Sequence, residues 1–319
     1  MDNAAKNGDL CTLEWLRGNR KEGCSALALT SAAENGHFAV MEWLFFNCPE
    51  TINGLSASAT LTSAASGGHL AMVEWLNPIA PVIGHVFWRS TTSMDRAAAN
   101  GHLNVVKWLH ANRSWRGEGC SEDAMHGAAK NGHLDVVVWL HANRDEGCHP
   151  DTMDEAARNG YLSVVEWFQA HRFDCSIDAM DCAAGNGHLS VVEWLHANRS
   201  EGCTEAAMDG AAMNGHMAVV EWLCNNCSQS CAMDTAAWRN ILLVTIERGH
   251  ICVAAWLLTN SSEVANFKHC KRAQQPIQRA ISKYLDTLTL STSPHALPAR
   301  QQIHLNLEQK LLGPLLQDN

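Results

Sequence analysis

Histidine, cysteine and aspartate supply most metal ligands and acid–base groups in proteins, and this 319-residue chain holds all three in periodic columns. Seven histidines, His37, His69, His102, His133, His188, His216 and His250, each follow a glycine. Six cysteines, Cys24, Cys120, Cys148, Cys175, Cys203 and Cys231, recur at a second point of the period. Aspartates Asp95, Asp154, Asp181, Asp209 and Asp234 each follow a methionine. Read as chemistry, the first two columns would be zinc ligands and the third a set of general acids and bases. Their spacing argues against both. Neighbours in a column stand one repeat apart, roughly 8–10 Å if the repeats are packed helices, whereas zinc–ligand bonds are about 2.0–2.3 Å. The aspartates occur singly, not paired for acid–base work. Cys224, Cys227 and Cys231 mimic the start of a zinc site, but Cys231 belongs to the column and Cys227 holds the position of Arg199, so the spacing reads as coincidence. There is no glycine-rich phosphate loop and no nucleophile elbow. The columns are therefore expected to be structural, with no cofactor, no metal and no catalytic residue.

The elements that carry these columns follow from the repeat itself. Aligning on glycine finds copies at Gly8, Gly36, Gly68, Gly101, Gly132, Gly160, Gly187, Gly215 and Gly249, with steps of 28, 32, 33, 31, 28, 27, 28 and 34 residues between them. Such a period marks a stacked array in which no unit buries a core alone. Each unit reads as two short helices. The first spans Met-Asp-x-Ala-Ala and stops at Asn-Gly, where glycine takes the left-handed cap conformation. The second begins near the histidine. In the copy starting at His188, Leu189, Val191, Val192 and Leu195 share one broad apolar face, Ser190, Glu193 and Ala197 oppose it, and Trp194 stands at the rim. No segment alternates with period two for long enough to predict a sheet.

The pattern Ala-Ala-x-x-Gly-His-x-x-Val-Val-x-Trp-Leu resembles the ankyrin repeat, and it covers roughly residues 1 to 260. The resemblance implies an all-α, ankyrin-like helical repeat solenoid of about nine helix-turn-helix units. Two departures stand out. The family's Thr-Pro-Leu-His turn is missing, with Thr204 to Asp209 reading TEAAMD in its place. Most units are also five or six residues short of the usual 33 or so, so the projecting hairpin is expected to shrink to a tight turn at Glu-Gly-Cys. The tryptophan replaces a leucine of the family pattern, placed to cover apolar surface that the longer turn would shield. His110, His141 and His196 replace another core leucine and are expected to bond turn carbonyls. The position just after Ala-Ala holds Lys6, Glu34, Ser66, Ala99, Lys130, Arg158, Gly185 and Met213, while its neighbours barely vary within the chain. In ankyrin repeats the matching position faces the concave groove that grips partners. These eight residues are thus the candidate partner-binding column, although free variation is also what plain solvent exposure produces.

Composition narrows the rest. A net charge of −10 argues against a nucleic-acid partner held through phosphates, and no apolar run approaches a membrane span. The N-terminus, MDNAAKNGDL, has neither the basic start nor the apolar stretch of a signal peptide. Six of the 13 cysteines fall in one repeat column, which suits reduced thiols in the cytoplasm or nucleus better than a disulfide framework. Met1 aligns with the methionine that opens later repeats, so either the first helix pair is its own cap or the protein begins upstream. An insertion follows Leu76, a smaller one spans Ser114 to Gly117, and the ninth unit reaches its glycine late through an extended first helix. Beyond the array, residues 261–319 form a C-terminal extension, with a capping helix expected over 274–290 and a mobile tail after it. The function expected is a non-enzymatic protein–protein interaction scaffold of unspecified oligomeric state, binding a partner on the concave face and turn tips. The alternative is an adaptor or substrate receptor that docks through the extension.

Overall fold

The structure is a computed structural model that describes residues 1–20, 23–49, 54–76, 91–112, 119–227, 235–260 and Arg279. Among these residues there are helices and no strands. The chain divides after Thr152 into two compact units. The first contains five helix pairs: α1 Asp2–Lys6 with α2 Leu10–Asn19, α3 Ala26–Glu34 with α4 Phe38–Asn47, α5 Gly54–Ser66 with α6 Leu70–Leu76, α7 Thr92–Ala99 with α8 Leu103–Ala111, and α9 Glu122–Lys130 with α10 Leu134–Asn143. The second contains four: α11 Thr152–Arg158, whose first residue closes the first unit, with α12 Leu162–Ala170, α13 Asp178–Gly185 with α14 Leu189–Asn198, α15 Glu205–Met213 with α16 Met217–Asn226, and α17 Thr235–Glu247 with α18 Ile251–Asn260. The fold is the all-α, ankyrin-like repeat array that the period implies. The late glycine of the ninth unit is accommodated by α17, a continuous helix of 13 residues.

Small and branched apolar residues build each core. The alanine pairs, such as Ala32–Ala33, Ala97–Ala98 and Ala183–Ala184, are completely buried. Alanine combines high helix propensity with a short side chain, so the first helices of adjacent repeats approach closely. Val105–Val106, Val136–Val137 and Val191–Val192 close the core from the second helix, also with no exposure. Between the two helices the repeat glycine turns the chain with positive φ, for example +83° at Gly187. The connection from one repeat to the next is short. Gly147 and Gly202 adopt φ of +77° and +72° inside Glu-Gly-Cys, and no β-hairpin projects there among the described residues. Most of the insertion after Leu76, the Ser114–Gly117 insertion and the extension 261–319 with its expected capping helix lie outside the described residues, Arg279 apart. Among the described residues no helix is long and apolar enough to cross a membrane.

Candidate functional site

Each column finds its partner in the adjacent repeat. The histidine stands at the start of the second helix and its ring reaches back to the repeat before it. Nε2 of His37, His69 and His102 donates to the carbonyls of Lys6, Glu34 and Ser66 at 3.0, 3.0 and 2.9 Å. The ring also lies on the preceding repeat's glycine: a Cβ on Gly8, Gly187 or Gly215 would sit 2.6, 2.5 or 2.3 Å from Nδ1 of His37, His216 or His250. That glycine is thus required twice, for its backbone conformation and for its missing side chain. Burial lowers the pKa of His102 and His216, which keeps these rings neutral donors. With Nε2 committed to a carbonyl, such a ring offers a metal nothing at that atom. Among the described residues no group of three or more His, Cys, Asp or Glu could hold a metal ion.

Three aspartates of the column, Asp95, Asp154 and Asp181, together with Asp2, perform a second crossing, whereas the buried Oδ1 of Asp209 has no hydrogen-bond partner among the described residues. Asp95 accepts from the Ser121 amide at 2.8 Å and from its hydroxyl at 3.0 Å. Asp154 does the same with Ser176 at 2.9 and 2.6 Å, and Asp2 with Ser25 at 3.2 and 2.6 Å. Asp181 accepts from the amide and hydroxyl of Thr204. The same Ser or Thr oxygen caps its own helix, accepting from Leu27, Asp123, Asp178 or Ala206. One carboxylate and one hydroxyl thereby tie two first helices together where the Thr-Pro-Leu-His turn is absent. In the fifth repeat both partners change: His126 stands in the aspartate position and His149 in the Ser/Thr position. Their rings meet at 4.8 Å, with His149 bonded to Asp123 at 2.8 Å and His126 to the Thr152 hydroxyl at 3.1 Å. Cys231 and Asp234 lie outside the described residues.

Two members of the second histidine column meet a tryptophan of the next repeat. Trp139 meets the ring of His110 edge-on at 5.1 Å, and Trp222 meets His196 at the same distance. The tryptophan of one repeat therefore covers the residue after Trp-Leu in the repeat before, which explains why it tolerates a half-polar ring there. Turn tips are closed by an arginine fork. Arg144 donates through Nε to Glu146 at 3.0 Å and Arg199 to Glu201 at 3.2 Å, and Arg199 also reaches Gln169. Beneath the first fork, burial raises the Cys120 thiol to about 11.

The eight candidate partner-binding residues all end a first helix. In the first unit Lys6, Glu34 and Lys130 are exposed while Ser66 and Ala99 are half-buried; in the second Arg158, Gly185 and Met213 are half-buried. Their carbonyls carry the structural work. Besides the three bonded to histidines, Ala99 accepts from Asn131 at 2.8 Å, Gly185 from Asn214 at 2.7 Å and Met213 from Arg248 at 3.2 Å. A backbone oxygen serves whatever side chain is attached, so the position can vary without disturbing the array. The variation has limits the spacing did not signal. A Cβ on Gly127 would lie 2.7 Å from the Cβ of Ala99, and one on Gly210 would lie 2.9 Å from the Cα of Gly185. Ala99 and Gly185 are thus also held small by the next helix. Sequence reading also passed over Phe45–Phe46, which occupy the positions of the later His-Ala pair, a substitution visible once the repeats are aligned.

Residues 94–141 and 180–224 match the family model described as ankyrin repeats in many copies. Comparison with curated proteins gives no match.

Proposed function

We propose, from the premise that this chain is an ankyrin-repeat protein, that it is a non-enzymatic scaffold binding another protein through its first-helix column and turn tips. Ankyrin repeats are in general protein-interaction modules. The observation that supports this reading is the division of labour in the column: the carbonyls of Lys6, Glu34 and Met213 bond the next repeat, so their side chains can vary to specify a partner. The net charge of −10 favours a protein partner over nucleic acid. The free cysteines suit a reducing cytoplasm or nucleus.

Affinity capture from cells with the whole chain, against a Lys6→Glu, Lys130→Glu, Met213→Asp variant of unchanged circular dichroism, tests the assignment. The variant is expected to lose specific partners by about tenfold, the scale of a few interface hot spots. Capture that ignores these substitutions but disappears when residues 261–319 are removed would replace this reading with the adaptor.

A further inference from the structure

The outer face of the second and third repeats carries apolar surface that their cores do not require. Phe46, near the end of α4, is 68 % exposed. Its position in later repeats holds Ala111, Ala142 and Ala197, so the array closes without a large side chain there. Around it are Phe45 at 5.6 Å and Trp75 of α6 at 6.4 Å; Trp75 also meets Phe45 at 5.2 Å and Phe38 at 5.9 Å. Every pair in this group is edge-to-face, which fixes the rings as one raised aromatic patch rather than four independent side chains. On the neighbouring outer helix of the first repeat, Trp15 is 58 % exposed.

On the two helices that carry the patch the charges have one sign. Glu42 and Glu74 precede Trp43 and Trp75 on the same two helices and are exposed, as is Glu14 before Trp15. Neither α4, FAVMEWLFFN, nor α6, LAMVEWL, contains a lysine or arginine. In the fourth and fifth repeats the same position holds Lys107 and Val138, so next to the aromatic surface the acidic row is interrupted before it resumes at Glu166. These charges discriminate among occupants. A second copy docked isologously would set Glu42 and Glu74 against their own kind. An anionic membrane surface or a nucleic acid would meet the same repulsion. A segment that presents apolar residues on one stripe and Lys or Arg beside it satisfies both features at once.

We propose that the Phe38–Phe45–Phe46–Trp75 patch, with Glu42 and Glu74, docks a basic amphipathic helix of a partner protein. The site lies on the outer helices and is independent of the first-helix column.

The test uses the full chain and a fluorescent peptide of roughly 18 residues, five helical turns, with Leu at i, i+3, i+4 and i+7 and Lys elsewhere. The control peptide carries Glu in place of Lys. The Lys peptide is expected to bind, more weakly as salt is raised, and the Glu peptide is not. Phe46→Ser and, separately, the Glu42→Lys, Glu74→Lys pair should each weaken binding by about tenfold or more. Both should leave the melting curve unchanged, because these side chains face solvent. Val138→Ser, on the outer helix of the fifth repeat, should bind like the parent. Equal binding of both peptides, binding indifferent to Phe46→Ser, or no binding would overturn the proposal. So would a concentration-dependent dimer abolished by Phe46→Ser, which would give the patch to a second copy.

Discussion

Replacing Gly187 by alanine separates the two demands placed on the repeat glycine. Gly187 sits at φ +83°, where an L residue with a Cβ costs about 1–2 kcal/mol. Alanine recovers roughly 0.4–1 kcal/mol by restricting the unfolded chain, which leaves about 1 kcal/mol of net backbone cost. The new Cβ would also lie 2.5 Å from Nδ1 of His216 and 2.7 Å from its Cε1. Neither distance is tolerable, so the ring must move and give up its bond to the Gly185 carbonyl, a further loss of about 0.5–1.5 kcal/mol. The total is about 2 kcal/mol. Gly147 is the internal control, since it has φ +77° and nothing within 4 Å of a built Cβ. Gly147→Ala should cost only the backbone part, about 1 kcal/mol. Stability in a repeat array is distributed over units and interfaces, so the measurement is hydrogen exchange at the amides of each junction, not a single melting temperature. The α14 amides should lose about 30-fold in protection in Gly187→Ala. Adding His216→Ala to Gly187→Ala removes the colliding ring, so the second substitution should be less damaging there than in the parent. Equal losses at Gly187 and Gly147, or strict additivity of Gly187→Ala with His216→Ala, would refute the reasoning.

Asp95→Ala should destabilise the first unit by about 1–3 kcal/mol, because it strands the amide and hydroxyl of Ser121; a urea midpoint no different from the parent would contradict the crossing. The histidines should titrate apart in proton NMR, His149 above the ordinary value of 6.5 and His102 and His216 below it. The hydrogen bond to Asp123 raises His149, so its contribution to stability is full below pH 6.5 and lost as pH rises through its folded pKa. Burial lowers His102 and His216, so theirs is present above 6.5 and lost as pH falls through their folded values. His149→Gln should remove the first dependence and leave the second. Among the cysteines, exposed Cys11 and Cys252 should be alkylated first. Cys24, pushed up to about 12 by burial with Cys48 3.2 Å away, and Cys120 should resist until the chain unfolds; early labelling of Cys24 at pH 8 would count against its burial.

The sequence by itself determined the period, the helix pair within it and the cap between them. These depend on local physics: Ala-Ala and Val-Val supply helix propensity and an apolar stripe, and Gly ends the first helix through its own backbone freedom. The same periodicity established that His37 and His216 share an environment, and the whole-repeat spacing ruled them out as joint ligands. It did not reveal what that environment was. His37 meets Lys6, Asp95 meets Ser121 and His196 meets Trp222 across 31, 26 and 26 positions of chain, through contacts that exist only when one repeat stacks on another. A column looks identical whether its members face solvent or the previous repeat, so tertiary packing alone placed His110 and His196 against tryptophan edges. It also decided how much of the first-helix column is free. Lys6 stands in solvent, whereas Gly185 is pressed against Gly210, because the separation of two helices is set by the residues on both, and one strand of sequence names only one of them at a time.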